Sequence, residues 1–585
     1  MEMDFLLDLS EGQTVAPCAH QSFVTLLRQR AEETPTRLAM TFGDGQTLSA
    51  SLTYQDLDRA ARALASRLQA MGVVGKRAII LMQPSAQYVM AILGCWYARL
   101  TAVPVYSPKI NASYERVRLV LEDAGAEVIL STQSVIDGLQ QGEWPALQNG
   151  SLRVLAVDGV DLQSPGSWAM PYIEPQTLAV LQYTSGSTGK PKGVRLQHRH
   201  LLKNSEMIQR AMASSEHDIG VAWLPPYHDM GLIGSLLQPL YCGFPVHLIA
   251  PATFLQRPHR WLEMISRLKA TVSAAPNFAY DLCVRRLRPE QLAALDLSSW
   301  RLAANGAEPI RAATLDAFAE AFAPAGFSPA AFQPCYGMAE TTLLVSASDP
   351  HSTRRELLAN PQALKLGLLQ VTEGDGVRLV SSGRPDRDAQ VRIVDPQRHM
   401  PLAEGQVGEI WIAGPMVADG YWNNAEATRE TFLAGLPDSQ EMWLRTGDLG
   451  AMCDGELYVT GRIKDLIIIR GHNHYPTDIE SSVMLAHPAI KAHGVAAYAY
   501  EEEDGEEALG LVVEVERGAK GLDLTHLREE ILHCVSQAHQ LKVSALLLTA
   551  PNRIARTSSG KIQRGETRDR VLSGEIAALE QGGCL

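Results

Sequence analysis

The stretch Tyr183–Val194, reading Tyr-Thr-Ser-Gly-Ser-Thr-Gly-Lys-Pro-Lys-Gly-Val, gathers groups that bind phosphate. Gly186, Gly189 and Gly193 have no side chains to keep backbone N–H groups away from anionic oxygens. Thr184, Ser185, Ser187 and Thr188 add hydroxyl donors, and Lys190 and Lys192 add charge. A Gly-Ser-Thr-Gly run alone is an ordinary surface turn; it is the near-absence of any phosphate-incompatible residue over the whole stretch that favours an anion site. The stretch is not a Walker A loop. Thr184 stands where that motif needs its first glycine, and Pro191 stands where Ser or Thr must follow the lysine.

Five other polar groupings have the form of a site. His228-Asp229 lies between Pro225-Pro226 and Gly231, in a turn. Asn305-Gly306-Ala307-Glu308-Pro309 and Gln333-Pro334-Cys335-Tyr336-Gly337-Met338-Ala339-Glu340-Thr341-Thr342 each run from a strand-like segment through small residues to a polar one. Arg445-Thr446-Gly447-Asp448 with Gly461-Arg462-Ile463-Lys464-Asp465, and finally Ser558-Ser559-Gly560-Lys561, complete the set. Each has an ordinary alternative. A His-Asp pair is more often structural than catalytic, Thr-Gly-Asp and Tyr-Gly are common turn dipeptides, and Ser-Gly-Lys taken alone is a solvated loop.

The elements that must hold these groups alternate strand and helix. Leu178–Tyr183 and Gly193–His198 read as strands flanking the phosphate stretch, so that loop joins two strands instead of opening a helix. Upstream, an amphipathic segment Ser22–Glu33, a strand Leu38–Phe42, a helix N-capped by Thr53, and strands Ala102–Tyr106 and Val128–Leu130 around a helix Ser113–Ala124 give the rhythm of an α/β fold. Ala78–Ala98 carries no charged side chain and is long enough to span a bilayer. Gln83-Pro84-Ser85 and Gln87 interrupt it, so a buried strand Arg77–Met82 followed by a buried helix Ser85–Leu100 is the expectation. Downstream, a helix Leu201–Ala213 and strands Gly408–Ala413 and Glu456–Val459 are expected. The apolar segments Leu232–Tyr241 and Pro276–Cys283 are core by default, or the lining of an acyl pocket.

Composition bounds the function. The chain has 585 residues, 46% hydrophobic and 20% charged, which is ordinary for two to four globular domains. A net charge of −13 and a pI near 5.7 argue against a nucleic-acid partner. The eight cysteines are scattered without a Cys-x-x-Cys pair, which suits reduced thiols in the cytoplasm, and the acidic N-terminal residues are unlike a signal peptide. His472-Asn473-His474 lacks the further ligands of a metal site, and no Gly-x-Ser-x-Gly elbow supports a serine hydrolase.

Taken together and in order, the phosphate stretch, Tyr336–Thr341, Arg445–Asp448, Gly461–Asp465 and Ser558–Lys561 resemble the adenylate-forming, AMP-binding superfamily over nearly the whole chain. His228-Asp229-Met230-Gly231-Leu232-Ile233-Gly234, Asn305–Pro309 and Ser381-Ser382-Gly383-Arg384-Pro385 resemble its fatty acyl-AMP ligase branch. About forty residues separate Glu340 from Gly383, whereas structureless connections seldom exceed roughly fifteen, which resembles that branch's insertion at about 345–380. Within it, a short helix near Arg354–Ala359, another after Pro361, and a hairpin Leu368–Val371/Val377–Ser381 are expected.

The resemblance implies an α/β fold: a large N-terminal domain of several subdomains, 1–464, and a small mobile α+β lid, 465–585, hinged at Lys464. It implies ATP-dependent activation of a medium- or long-chain fatty acid to an acyl-adenylate, then transfer to the phosphopantetheine thiol of a separate acyl carrier protein or synthase carrier domain. An acyl-CoA synthetase, an amino-acid adenylating enzyme (through Asp229) and a non-enzymatic nucleotide-binding protein are the alternatives. Lys561, His228 and Glu340 would be catalytic. Thr184, Ser185, Gly186, Ser187, Thr188, Gly189, Lys192, Gly306, Ala307, Glu308, Cys335, Tyr336, Gly337, Met338, Ala339, Asp448 and Arg462 would hold the nucleotide. Glu340 and Thr184 would hold Mg²⁺. The insertion would hinder the domain arrangement needed for CoA thioester formation.

Overall fold

The computed structural model describes residues 20–107, 114–140, 152–184, 191–286, 288–469, 472–502, 507–516, 522–557 and 560–579. Local signals place the first elements. Thr53 caps the helix Tyr54–Ala70 reciprocally with Asp56: its hydroxyl accepts from Asp56 N–H at 3.2 Å, and its own N–H donates to Asp56 Oδ2 at 3.0 Å. The uncharged run resolves into the strand Arg77–Leu81 and the helix Ala86–Tyr97, which starts at the N-cap Ser85. That helix is buried on nearly all sides, and Trp96 Nε1 donates to Ala179 O at 2.9 Å. No helix among the described residues is long and apolar enough to cross a membrane.

Two large sheets share one apolar core with the helices Phe23–Glu33, Tyr54–Ala70 and Ala86–Tyr97. The six-stranded sheet runs Arg153–Ala156, Val128–Ser131, Arg77–Leu81, Thr101–Pro104, Leu178–Thr184, Lys192–Gln197. Its last two strands are antiparallel and pair Thr184 with Lys192, so they form the hairpin that brackets the phosphate stretch. In the nine-stranded sheet the strands Val246–Ile249, Gly220–Ala222, Val272–Ala275, Leu302–Asn305 and Phe332–Gly337 are mutually parallel neighbours. Four of them end within five residues of a candidate segment: Gly220–Ala222 before Tyr227-His228-Asp229, Val272–Ala275 before Asn277, Leu302–Asn305 before Gly306–Glu308, and Phe332–Gly337 before Glu340. The carboxyl ends of parallel strands therefore deliver these groups to one rim, as open α/β sheets do.

A four-stranded antiparallel sheet, Gln390–Val394, Gly408–Ala413, Leu444–Cys453 and Glu456–Arg462, follows. The C-terminal unit has its own three-stranded sheet, Ile490–Glu501, Glu507–Val515 and Val543–Thr549. Its core, running from Ile467 to Leu548, is closed by the helices Pro476–Ala486 and Leu524–His539.

The segment after Glu340 leaves and re-enters the nine-stranded sheet at one point, because Ala347 pairs with Arg384. The return is tight: Gly383 has φ +82°, and a Cβ there would sit 1.8 Å from the Ala347 carbonyl carbon. Inside this excursion two expectations are corrected. Glu356–Ala359 is a strand instead of part of a helix, and Val377–Val380 pairs with that strand instead of with Leu368–Val371. Helix-forming residues are overridden by their partners: Glu356 is held by Arg354 at 2.6 Å and Arg378 at 2.5 Å, while Leu357 packs against the buried cluster that includes Leu364, Leu369 and Tyr475. The helix after Pro361 forms, over Pro361–Lys365, capped by Asn360.

Candidate active site

Glu340 is placed by a strained turn. After the strand Phe332–Gly337 the chain makes one 3₁₀ turn, Ala339–Thr341. It then reverses at Thr342, whose φ +68° and ψ −64° together with the Leu343 N–H donating to Thr341 O at 2.8 Å define a γ-turn of the rare hand. The Thr342 hydroxyl, donating to Met416 O at 2.7 Å, holds the strain. Gly337 allows the reversal, since a Cβ there would lie 1.6 Å from Leu343 O.

The Glu340 carboxylate is buried, 7% exposed, and accepts the Tyr421 hydroxyl at 2.9 Å. Burial pushes its pKa above the ordinary value; the Tyr421 bond offsets this only in part. Tyr421 also joins Glu340 to the phosphate hairpin: Lys192 Nζ lies 4.9 Å from its ring centroid, and Val194 bridges to it in an isolated antiparallel pair. Trp422 N–H donates to Gly193 O at 2.7 Å, and Arg195 N–H to Gly420 O at 3.0 Å. Thr184 ends the entering strand and Lys192 begins the leaving one. The expectations for Ser185, Gly186, Ser187, Thr188 and Gly189 lie outside the described residues.

His228 and Asp229 follow a turn anchored by Gln182, whose amide donates to Tyr227 O at 2.8 Å. The His228 Nδ1 and Asp229 Oδ1 atoms are 2.6 Å apart, and the Met230 N–H donates to the same carboxylate oxygen at 2.7 Å. Burial pushes the Asp229 carboxyl up. The His228 ring, the Lys561 ammonium and the Met230 N–H more than cancel that, leaving it below the ordinary carboxylate value. Lys561, from the C-terminal unit, is thus within electrostatic reach of Asp229, which in turn acts on Glu340. After Asp229 the apolar run Met230–Leu237 winds as a buried π-helix, a wide form that recurs at functional sites.

Tyr336, Asp448 and Arg462 form a second cluster. The Tyr336 hydroxyl donates to Asp448 Oδ2 at 2.9 Å and Arg462 Nε to Oδ1 at 2.7 Å, across strands that pair Asp448 with Arg462. Burial and the Asp448 charge raise the Tyr336 hydroxyl well above its ordinary pKa, and Asp448 likewise raises Arg462, whose side chain remains 54% exposed.

Gly306 and Ala307 follow the strand Leu302–Asn305, which neighbours the strand Phe332–Gly337 that carries Cys335. A Cβ at Gly306 would sit 2.8 Å from Cys335 Sγ, and Ala307 holds φ +69°. Burial pushes the Cys335 thiol up to about 12, so it is no nucleophile. The Glu308 carboxylate accepts the Phe278 N–H at 2.5 Å at the start of the helix Asn277–Arg286, and Met338 N–H donates to the Thr341 hydroxyl at 3.3 Å. Ala339 is buried at the head of the 3₁₀ turn. Lys464 falls in the 3₁₀ turn Ile463–Asp465, between the four-stranded sheet and the C-terminal unit.

Sequence reasoning did not single out Tyr421, Gln182 or Thr342. The available signal for the first was Gly420-Tyr421-Trp422-Asn423, a glycine-led aromatic turn; the roles of the other two arise only from contacts distant in sequence.

The model of a family described as AMP-binding enzyme matches residues 27–422, and one described as Disco-interacting protein 2-like, AMP domain, matches 464–581. The chain belongs to the AMP-binding enzyme family. Among curated members it is 41% identical to the medium-chain-fatty-acid–[acyl-carrier-protein] ligase JamA of Moorena producens, with 96% of each chain covered. It is 37% identical to the long-chain-fatty-acid–AMP ligase FadD26 of Mycobacterium marinum, covering 96% of this chain and 99% of that one. Among solved AMP-binding structures it resembles the fatty acyl-adenylate ligase from Legionella pneumophila in complex with acyl adenylate and pyrophosphate. The TM-score is 0.75, with 38% identity over 96% of this chain and 98% of that one.

Proposed function

We propose that this AMP-binding enzyme activates a medium- or long-chain fatty acid with ATP to an acyl-adenylate and passes the acyl group to the phosphopantetheine thiol of a separate carrier protein. The observation that carries the reading is that Tyr421 holds buried Glu340 to the strand leaving the phosphate hairpin, with the His228–Asp229 pair close enough for its charge to act on Glu340. The sequence likeness to a carrier-protein ligase over 96% of both chains supports the second step.

In the first step a carboxylate oxygen attacks the α-phosphorus, the bond to the bridging oxygen breaks, and pyrophosphate leaves. Both reactants are anions, so the protein must align them and meet charge as it gathers on phosphorus. Lys561 is suited to that, because an ammonium on a long stem reaching in from another unit can contact charge that develops only in the transition state. His228, its ring oriented by Asp229, is set to position the substrate carboxylate. Thr184 and Lys192, paired at the end of the hairpin, are suited to meet the departing phosphates. Tyr336 offers a ring face to adenine, and Asp448 with Arg462 offers an acceptor and a donor to the ribose.

Glu340 fits a Mg²⁺ site with the Thr184 hydroxyl. A buried carboxylate whose burial is offset only in part by one neutral donor gains from a cation, and Mg²⁺ takes oxygen ligands while keeping several waters. Bound there, Mg²⁺ would neutralise phosphate charge.

The excursion supports the preference for a carrier protein over CoA. Arg354 and Arg378 tie it to Asp316 on the helix Ala312–Phe322, while Lys365 Nζ donates to His539 O at 3.4 Å and Leu364 shares one buried apolar cluster with Tyr475. It thus touches both the large part and the C-terminal unit, and is placed to limit their rearrangement.

The test is ATP–pyrophosphate exchange with dodecanoate, followed by transfer with and without CoA. Lys561→Ala is expected to lose exchange by a hundredfold or more, roughly 3 kcal/mol of transition-state stabilisation, while ATP still binds. Normal exchange in that variant refutes its role, and rapid acyl-CoA release by the unaltered enzyme refutes the carrier-protein reading.

A further inference from the structure

His493 is not part of the chemistry above, yet it links three parts of the molecule. It lies on the strand Ile490–Glu501 where pairing with Glu507–Val515 slips between Ile490 and Val495, and its backbone takes φ +54°. A residue with a Cβ holds that left-handed conformation only where its surroundings require it. The irregular segment carries the ring out of the C-terminal unit, and Nε2 lies 2.8 Å from Asp281 Oδ2 on the helix Asn277–Arg286 of the large part. Arg285 Nε reaches the same oxygen at 2.8 Å. Burial pushes the Asp281 carboxyl up, and the bonds from His493 and Arg285 overcome it, leaving a carboxylate to which His493 Nε2–H donates.

The backbone of His493 faces the other way. Its carbonyl accepts from Arg556 Nη2, while Arg556 Nη1 donates to Gly560 O at 3.0 Å. Thr557 N–H donates to Lys561 O at 2.9 Å, and Lys561 N–H returns to the Thr557 hydroxyl at 3.1 Å. One guanidinium therefore spans from the His493 irregularity to the turn that carries Lys561, and one imidazole spans from the same point to the large part.

We infer that His493 is a positioning residue for adenylate formation: its ring fixes the C-terminal unit on Asp281, and its carbonyl, through Arg556, fixes the Lys561 turn against that same anchor. The inference rests on the proposed role of Lys561. A lysine stem is flexible, so its ammonium reaches a transition state reproducibly only if the backbone beneath it is held, and a displacement of about 1 Å is enough to forfeit most of the effect.

The test compares His493→Asn, Asp281→Ala and the double variant in ATP–pyrophosphate exchange with dodecanoate, with Lys561→Ala alongside. Asparagine tolerates the left-handed backbone but cannot span to Asp281. Each single variant should lower kcat by about tenfold or more with the KM for ATP unchanged, the loss that goes with one charge-assisted hydrogen bond. The double should be no slower than the slower single, because both act through one contact. Hydrogen exchange in the helix Leu524–His539 should match the unaltered protein. Wild-type kcat in both singles, effects that multiply in the double, or a KM for ATP that rises as kcat falls would each overturn the inference. If His493→Asn disturbs folding, as faster exchange would reveal, Asp281→Ala on the opposite side of the contact decides the question by the same criteria. A Lys561→Ala variant that keeps exchange refutes the role of the lysine itself; a dead Lys561→Ala beside a fully active Asp281→Ala refutes only the clasp.

Discussion

Arg564→Met separates the support of the C-terminal unit from its chemistry. Arg564 opens the helix Arg564–Leu572, three residues beyond Lys561, and its side chain is 14% exposed. Nε and Nη2 meet the two oxygens of Glu480 at 2.7 and 2.8 Å, and Nη1 meets Asp465, next to Lys464, at 2.7 Å. Burial lowers the Arg564 pKa, and the two carboxylates outweigh it, so the guanidinium stays charged. Glu480 is 2% exposed, and its other contact is the Ala497 N–H at 3.1 Å. Methionine keeps the apolar stem and removes three charge-assisted bonds, stranding the Glu480 carboxylate. Removing one partner of a buried pair costs about 3–5 kcal/mol; Asp465, 27% exposed, regains water and keeps the total near the lower end. Hydrogen exchange measures this region by region. A loss of about 3 kcal/mol should speed amide exchange in Pro476–Ala486 and Ile490–Glu501 by roughly a hundredfold and leave Arg77–Leu81 unchanged. Acceleration of less than about tenfold would show that Glu480 is already solvated, and would refute the argument.

Three further outcomes follow from the same geometry. Gly337→Ala places a Cβ 1.6 Å from Leu343 O, so the turn that presents Glu340 must open; exchange activity should fall by about a hundredfold, and wild-type activity would show that the turn can yield. Replacing 349–382 with a short turn is feasible because Ala347 and Arg384 are already paired. CoA thioester formation should then rise several-fold, and no rise in a folded variant counts against the restraint. Burial raises Asp478 to about 6, so the contribution of its protonated form is complete below about 3.8 and is lost as pH rises through 6. Asp478→Asn should match the wild type in thermal unfolding at pH 4 or below and exceed it above pH 6, and an equal difference at both ends would exclude this titration.

Much was legible in the sequence where one residue type does one local thing. Thr53 capped a helix where expected, the uncharged run broke at Pro84 into a strand and a helix, and the phosphate stretch stood between two strands. The family was legible because its motifs are short contiguous runs. The excursion was misread inside, since Arg354–Ala359 favours a helix and only Arg378, Asp316 and Tyr475, distant in sequence, make it a strand. The same limit applies to the site. Sequence pointed to Glu340, Asp448 and Lys561 only through the family resemblance of the short runs that contain them, since each run alone reads as an ordinary turn or loop. It could not show that Tyr421 clips Glu340 to the Lys192 strand, that Thr342 takes a strained γ-turn, or that His493 leaves its own strand to reach Asp281. Those contacts cost backbone strain and charge burial that no local segment would accept alone, and only the packed tertiary structure compensates them.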